Sequence, residues 1–88
     1  MDKKLDQMRS RIDELDAVIL DKLAERMKVV DDIGAYKREN ELDARDEKRR
    51  NEVASDRMSR GKSRGLSGEL VRKIFDAILD YAEERERK

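Results

Sequence analysis

Two cationic side chains near the middle of the chain are the residues best placed to do chemistry. In an α-helix, where each residue turns by about 100°, Arg26 and Lys37 lie on the same side, within about 60° of each other. The residues between them on that side are Val30 and Ile33. Long cationic side chains often lie along an apolar surface with their charged heads in water. The other interpretation is that these cations and the apolar patch form a pocket for an anion.

For other charged residues, the sequence alone is compatible with either a surface role or a role in ligand binding. Arg9 either pairs with Asp13 one turn later or reaches into a pocket of a second chain. Asp46 and Arg49 are also one turn apart and could pair with each other, an interaction worth little at a surface. Glu86 lies in a charged stretch near the C-terminus, where most carboxylates are solvated.

The composition excludes several kinds of active site. The 88 residues contain no Cys and no His, so a thiolate zinc site, a thiol nucleophile and an imidazole general base are excluded. Lys and Arg together number 22, as do Asp and Glu, so no net charge attracts nucleic acid or an anionic membrane. No segment has the length and apolarity of a membrane span or a signal peptide. We expect a soluble, cytoplasmic protein; if it is an enzyme, it works without the usual nucleophiles and proton shuttles.

The candidate cations must be positioned by a very long first helix. Apolar residues recur every three or four positions from Leu5 to Tyr36, with no Gly before Gly34 and no Pro, which predicts a helix over about 3–38. Such a helix would be roughly 50 Å long, whereas a compact domain of this size has a diameter of about 30 Å. Its far end would therefore pack on another chain. We predict an oligomer, most simply a two-fold dimer.

A second helix is predicted over about 44–60. Either Asp43 or Asp46 could cap its N-terminus, and Gly61 could end it as a left-handed residue. Its sequence is poor in apolar residues, so its packing face would be narrow.

A third helix is predicted over about 67–86, with Ser67 as its N-cap. Its apolar residues recur at helical spacing and form a broad stripe. The three patterns together predict an all-α fold and a single domain over residues 1–88, with a very long first helix.

Five short motifs, spread over nearly the whole chain, match one known pattern in order and without a gap. The most specific is the opening R-x-x-I-D-x-L-D, which begins at Arg9. The full set is Met8–Asp16, Leu23–Arg26, Ile33–Lys37, Arg45-Asp46 followed by Arg49, and Ile74–Ile78. On these motifs the chain resembles the all-helical class of chorismate mutase.

The resemblance implies an intertwined homodimer of three-helix chains. It also implies the Claisen rearrangement of chorismate to prephenate in the biosynthesis of Phe and Tyr, without cofactor or metal. By the same resemblance, Arg26 and Arg49 bind the two carboxylates of chorismate, joined by Arg9 from the other subunit. Lys37 would stabilise the negative charge that builds on the ether oxygen, and the region of Asp46 would bind the ring hydroxyl.

Three positions depart from the family pattern. Arg50 stands where the family usually has a Glu that accepts the ring hydroxyl, so either Asp46 makes this contact alone or activity is reduced. Ala82 stands where many members have a small hydroxyl residue. Glu86 stands where bacterial members have a Gln that donates to the ether oxygen, although some eukaryotic members also have Glu. A carboxylate donates only when it is protonated, so we expect higher activity in mildly acidic than in alkaline buffer.

Three other functions compete with catalysis. An inactive or weakly active helical dimer of the same fold, serving for binding or regulation, is favoured by Arg50. A nucleic-acid binder could use the basic run 45–64, but acids interrupt this run and aromatic residues for base stacking are missing. A coiled-coil spacer is disfavoured because the heptad pattern stops after Ile19.

Overall fold

A computed structural model describes residues 2–88, which form three α-helices. The helices are α1 (Lys3–Glu39), α2 (Glu47–Lys62) and α3 (Gly68–Glu86). The predicted all-α fold with a very long first helix is confirmed. The second helix differs most from its predicted span, because it begins three residues later and ends two residues later than expected.

Each helix begins at a side chain that caps it. The carboxylates of Asp2 and Asp46 and the hydroxyl of Ser67 accept hydrogen bonds from the backbone N–H three residues ahead, at 3.0, 3.0 and 3.1 Å. Each bond satisfies a donor that a helix N-terminus otherwise leaves unpaired. The cap at Asp46 fixes where the first turn of α2 begins, and this turn carries Arg49 and Arg50.

The third helix packs against both of the others. Within residues 2–88, four apolar residues are buried, and together they come from all three helices: Val30, Val53, Val71 and Ala82. Burial of a Val side chain stabilises a fold by roughly 1.5–3 kcal/mol. The apolar core within one chain is therefore small.

The chain is elongated, because α1 extends well beyond the other two helices. The principal extents are 58 × 24 × 15 Å and the radius of gyration is 16.6 Å, whereas a compact chain of this length has a radius of about 12 Å. Apolar side chains on the first half of α1 are open to solvent; Ile12, Ile19 and Leu20 are 55%, 56% and 66% exposed. Assembly into an intertwined dimer stays a prediction. No helix in residues 2–88 has both the length and the apolar character that crossing a membrane requires.

The prediction that Gly61 ends α2 in a left-handed conformation is wrong. Gly61 lies inside α2 and is buried, and a Cβ built on it would lie 2.5 Å from Cγ2 of Val71. The glycine of residues 2–88 that has a positive φ is Gly65, at 79°, in the turn before α3. Gly61 is thus required by the close approach of α2 and α3, and Gly65 by the turn.

Candidate active site

A cavity of about 450 Å³ lies between the C-terminal half of α1, the start of α2 and the end of α3. Cavities of about 300–1,000 Å³ are usual for small-molecule ligands. All three helices contribute apolar residues to its wall, together with seven charged side chains. The charged residues are Arg26, Lys37, Asp46, Arg49, Arg50, Glu83 and Glu86.

Arg26 is half-buried in the wall of the cavity. It forms no ion pair with a carboxylate among residues 2–88. Burial lowers the pKa of Arg26 from its usual value, and the positive charges of Arg57 and Arg49 lower it further. A bound anion would supply the missing counter-charge and relieve the repulsion between these cations.

Lys37 lies on the same wall as Arg26, as the helical spacing predicts. Its Nζ lies 2.6 Å from Oε1 of Glu86 and donates a 3.0 Å hydrogen bond to the backbone carbonyl of Ala44. The Lys37 and Glu86 side chains are only 20% and 10% exposed. Their contact is an ion pair without hydrogen-bond geometry, and this Oε1 accepts no hydrogen bond from residues 2–88. An ammonium has three donors, so two protein contacts fix its position and leave capacity for a ligand.

The close approach of α1 and α3 brings Glu86 to Lys37. A Cβ on Gly34, one turn before Lys37, would lie only 3.0 Å from Cα and 3.3 Å from the carbonyl oxygen of Glu86. Nη1 of Arg38 donates a 2.8 Å hydrogen bond to the same carbonyl. These contacts dock the end of α3 on α1. The interpretation of Glu86 as part of a solvated charged stretch is therefore wrong.

Arg50 also lines the cavity, but its charge is balanced from α3. Its Nη1 lies 3.0 Å from Oε1 of Glu83, and its Nη2 lies 2.7 Å from Oδ1 of Asp80. On the other side of Glu83, Nη1 of Arg45 lies 3.0 Å from Oε2. The Arg50 and Glu83 side chains are 16% and 13% exposed. Arg50 therefore contributes a neutralised pair to the wall.

Asp46 and Arg49 lie at the exposed rim of the cavity. The Asp46 carboxylate accepts from the backbone N–H of Arg49, and the Arg49 guanidinium points elsewhere, 3.8 Å from Glu52. With 62% of its side chain exposed, Arg49 can turn towards a ligand at low energetic cost, since exposed ion pairs contribute little.

Seven of the eight predicted site residues thus line one cavity, and Arg9 does not. Ala82 forms part of the floor and is 4% exposed. Arg9 is exposed on α1, 17 residues before Arg26, which corresponds to about 25 Å along the helix. Its predicted role, in the cavity of a partner subunit, stays a prediction.

The charges of the wall favour a small anion. Four cations and three carboxylates give a net charge of one positive unit. Lys37 pairs with Glu86 and Arg50 with Glu83, so Arg26 is the interior cation without a partner. Guanidinium groups bind carboxylates with two parallel hydrogen bonds. The arrangement can therefore hold a carboxylate and present an ammonium to an atom that gains negative charge.

Comparison with known protein families decides the assignment. The model of the family described as chorismate mutase type II matches residues 8–87. The chain belongs to this family. The resemblance drawn from the five motifs is confirmed, and family membership makes the protein an isomerase that acts on chorismate. A comparison with curated proteins finds no match.

Family membership changes the interpretation of Arg50. The cation in place of the usual Glu was the sequence feature that favoured an inactive dimer. In this type II chorismate mutase fold, Glu83 and Asp80 compensate that charge, so Arg50 is itself a paired cation. Nothing else in residues 2–88 favours the inactive alternative.

Sequence reasoning missed one charged residue of the cavity, Glu83. It follows Ala82 in a stretch in which every residue is charged, so composition alone does not distinguish it from its neighbours. A signal was present in Arg50, because a buried cation requires a carboxylate partner. Asp80 and Glu83 stand three residues apart on one face of α3 and could have been sought as that partner.

Proposed function

We propose that this chain catalyses the rearrangement of chorismate to prephenate in the cavity described above. The observation that carries the proposal is the shared cavity of Arg26, Lys37 and Arg49 in a chain of this family. Chorismate is a dianion, and its rearrangement moves electrons within one molecule. The protein therefore needs to supply only binding, orientation and electrostatic stabilisation.

Arg26 and Arg49 bind the two carboxylates of chorismate in this proposal. Arg26 supports it most directly, because its charge is half-buried, lacks a carboxylate partner and is repelled by neighbouring cations. Arg49 is exposed enough to close on a ligand after it enters. Holding both ends of the substrate folds it into the compact conformer in which the reacting carbons approach each other.

Lys37 stabilises the ether oxygen as its C–O bond breaks. Its ammonium is already positioned by Glu86 and by the Ala44 carbonyl, so little reorganisation accompanies the reaction. Glu86 acts by holding this ammonium. The alternative implied by the resemblance, in which a protonated Glu86 donates to the ether oxygen, predicts higher activity in mildly acidic buffer and a flatter pH profile for Glu86→Gln.

A second copy of the chain completes the site in this proposal. The cavity of one chain carries one positive unit, whereas the substrate carries two negative ones. Arg9 of the other copy would supply the second positive charge. The exposed apolar face on the first half of α1 and the apolar groove that includes Val18, Leu23 and Phe75 would both be covered by such a dimer.

The first test is consumption of chorismate by the purified protein, followed by the loss of its absorbance. We expect turnover by the parent chain and at least a 100-fold lower kcat/KM for Arg26→Ala, because a charge-assisted bidentate contact is lost. A parent chain that binds but does not convert chorismate would refute the catalytic proposal.

Mixing two inactive variants tests the shared site. In a two-fold dimer, Arg9→Ala and Arg26→Ala each remove a group from both cavities, but a mixed dimer contains one cavity with both residues intact. Random exchange of equal amounts should therefore restore about a quarter of the parental activity. Recovery would be absent if each cavity took both residues from its own chain.

We also place the protein in the cytoplasm, in the part of aromatic amino-acid biosynthesis that leads from chorismate to Phe and Tyr. The support is the substrate of the family. Growth of a chorismate-mutase-deficient bacterium without Phe and Tyr, restored by this chain but not by its Arg26→Ala variant, is the expected result.

A further inference from the structure

Glu83 is a cavity residue to which the sequence assigned no role. Its side chain is 13% exposed, and it lies on the cavity wall between Ala82 and the last turn of α3. Arg50 holds its Oε1 and Arg45 holds its Oε2, each at 3.0 Å. The two arginines fix the carboxylate from two sides, so its orientation does not depend on a ligand.

The carboxylate has hydrogen-bonding capacity to spare. An ionised carboxylate has about four acceptor positions, and the contacts from Arg45 and Arg50 use two of them. The free positions can accept from a hydroxyl group that enters the cavity.

The other two carboxylates of the wall are placed less favourably for this contact. Asp46, in the region to which the resemblance assigns the ring hydroxyl, lies at the exposed rim, and its Oδ1 caps α2 through the backbone N–H of Arg49. Glu86 faces the ammonium of Lys37. Glu83 is therefore the interior carboxylate of the cavity whose orientation is fixed by arginines. It neither pairs with the Lys37 ammonium nor caps a helix.

The position of Glu83 matches the chemistry of the substrate. Chorismate carries a ring hydroxyl on the carbon next to the one that bears the ether oxygen. If Lys37 lies at the ether oxygen, the acceptor for the hydroxyl must lie beside Lys37. Glu83 precedes Glu86, the partner of Lys37, by one turn on the same face of α3, where Cβ atoms are about 5–6 Å apart.

We propose that Glu83 accepts a hydrogen bond from the ring hydroxyl of chorismate and thereby selects for substrates that carry it. The inference rests on the function proposed above. Arg50 is a positioning residue in this arrangement, since its guanidinium orients Glu83. By the resemblance, the family usually has a Glu that accepts the hydroxyl at position 50. In this chain Arg50 occupies that position, and the proposed acceptor is Glu83 on α3, which pairs with Arg50.

The test compares chorismate with an analogue in which hydrogen replaces the ring hydroxyl. Both molecules are dianions, so a general change in the charge of the cavity affects them equally, and the ratio of their kcat/KM values isolates the hydroxyl contact. A hydrogen bond to a charged group gives about tenfold or more in this ratio. We expect the parent chain to prefer chorismate by at least that factor and Glu83→Ala to reduce the preference to about twofold or less.

Two further variants make the comparison specific. Glu83→Gln keeps the size of the side chain, and we expect a smaller preference than in the parent because an amide accepts more weakly than a carboxylate. Asp80→Ala removes the other carboxylate that pairs with Arg50 but leaves the contacts of Arg50 and Arg45 with Glu83 in place. Residue 80 lies outside the cavity wall, so the parental ratio should be retained. Circular dichroism of each variant checks that the helices are intact.

The outcomes separate the two proposals. If Glu83→Ala and Glu83→Gln both keep the parental ratio, or lose activity equally on both substrates, Glu83 does not contact the hydroxyl and the inference is wrong. If the parent chain converts neither substrate, the proposed function itself is refuted. A reduced ratio in both Glu83 variants with a parental ratio in Asp80→Ala supports the inference.

Discussion

Removal of the Lys37 ammonium should cost both stability and activity, for different reasons. At 2.6 Å from Glu86 Oε1, the direct attraction is about 6 kcal/mol at an effective dielectric constant of about 20. Desolvation of the two buried ions offsets most of this, but removing one partner leaves the other charge buried and unpaired, at a cost of about 3–5 kcal/mol. We therefore expect Lys37→Met to lower the free energy of unfolding by about 3 kcal/mol or more.

The size of this effect makes it easy to measure. A chain of this length has a total stability of about 4–13 kcal/mol, and a loss of 3 kcal/mol lowers the melting temperature by at least about 10 °C. Thermal and urea unfolding, followed by circular dichroism at one fixed protein concentration, would show it. Lys28→Met is the matched control, since Lys28 is an exposed lysine of the same helix, and should shift stability by less than about 0.5 kcal/mol.

A double variant separates stability from catalysis. Lys37→Met with Glu86→Met removes both charges and fills the space with side chains of similar length, so stability should return to within about 1 kcal/mol of the parent. The rate should stay about 100- to 1,000-fold low, because the cation at the ether oxygen is still missing. Parental stability of Lys37→Met would refute the buried pair, and an active double variant would refute the role of Lys37.

Three further predictions concern residues on other parts of the fold. Arg26→Gln should keep or raise the melting temperature while kcat/KM falls at least about 100-fold, because burial and then neighbouring cations lower the pKa of Arg26, and the charge that is unfavourable in the free protein is the one that binds the anion. Gly61→Ala should destabilise the chain by roughly 1–2 kcal/mol in urea unfolding, and it should cost less in a Val71→Ala background, which lacks the methyl group that the new Cβ meets. The hydrogen bond from Arg85 lowers the pKa of Asp31. The ionised Asp31 therefore stabilises the fold above about pH 4, and this contribution is lost as pH falls below that value. Melting temperatures measured from pH 7 to pH 3 should fall less steeply for Asp31→Asn than for the parent.

The helices and their caps could be predicted from the sequence because they depend on local patterns. The apolar spacing of α1 and the capping side chain of Ser67 act over one or two turns. For α2 the sequence left Asp43 and Asp46 open, and Asp46 is the cap. The mistaken role of Gly61 has a different origin. A glycine near a predicted helix end favours a left-handed cap, but here the close approach of Val71, ten residues further along the chain, requires it.

The candidate site could be predicted only in part, because some of its contacts depend on packing between helices and not on local patterns. Arg26 and Lys37 could be placed on one side because they share a helix, and their common cavity follows from that spacing. The pairing of Lys37 with Glu86 depends on how closely α1 and α3 approach at Gly34. The pairing of Arg50 with Glu83 depends on the packing of α2 against α3. Neither distance between helices can be calculated from one sequence.

The length of α1 also restricts how sequences of this type can vary. If Arg9 serves one cavity and Arg26 the other, the rigid helix between them sets the spacing of the two reaction centres. One inserted residue would rotate Arg9 by about 100° and move it by about 1.5 Å, away from the neighbouring substrate. Insertions and deletions should therefore be tolerated in the connection between α2 and α3. Between Arg9 and Arg26 even a change of about seven residues, two helical turns, would restore the direction of the side chain but move it by about 10 Å along the helix.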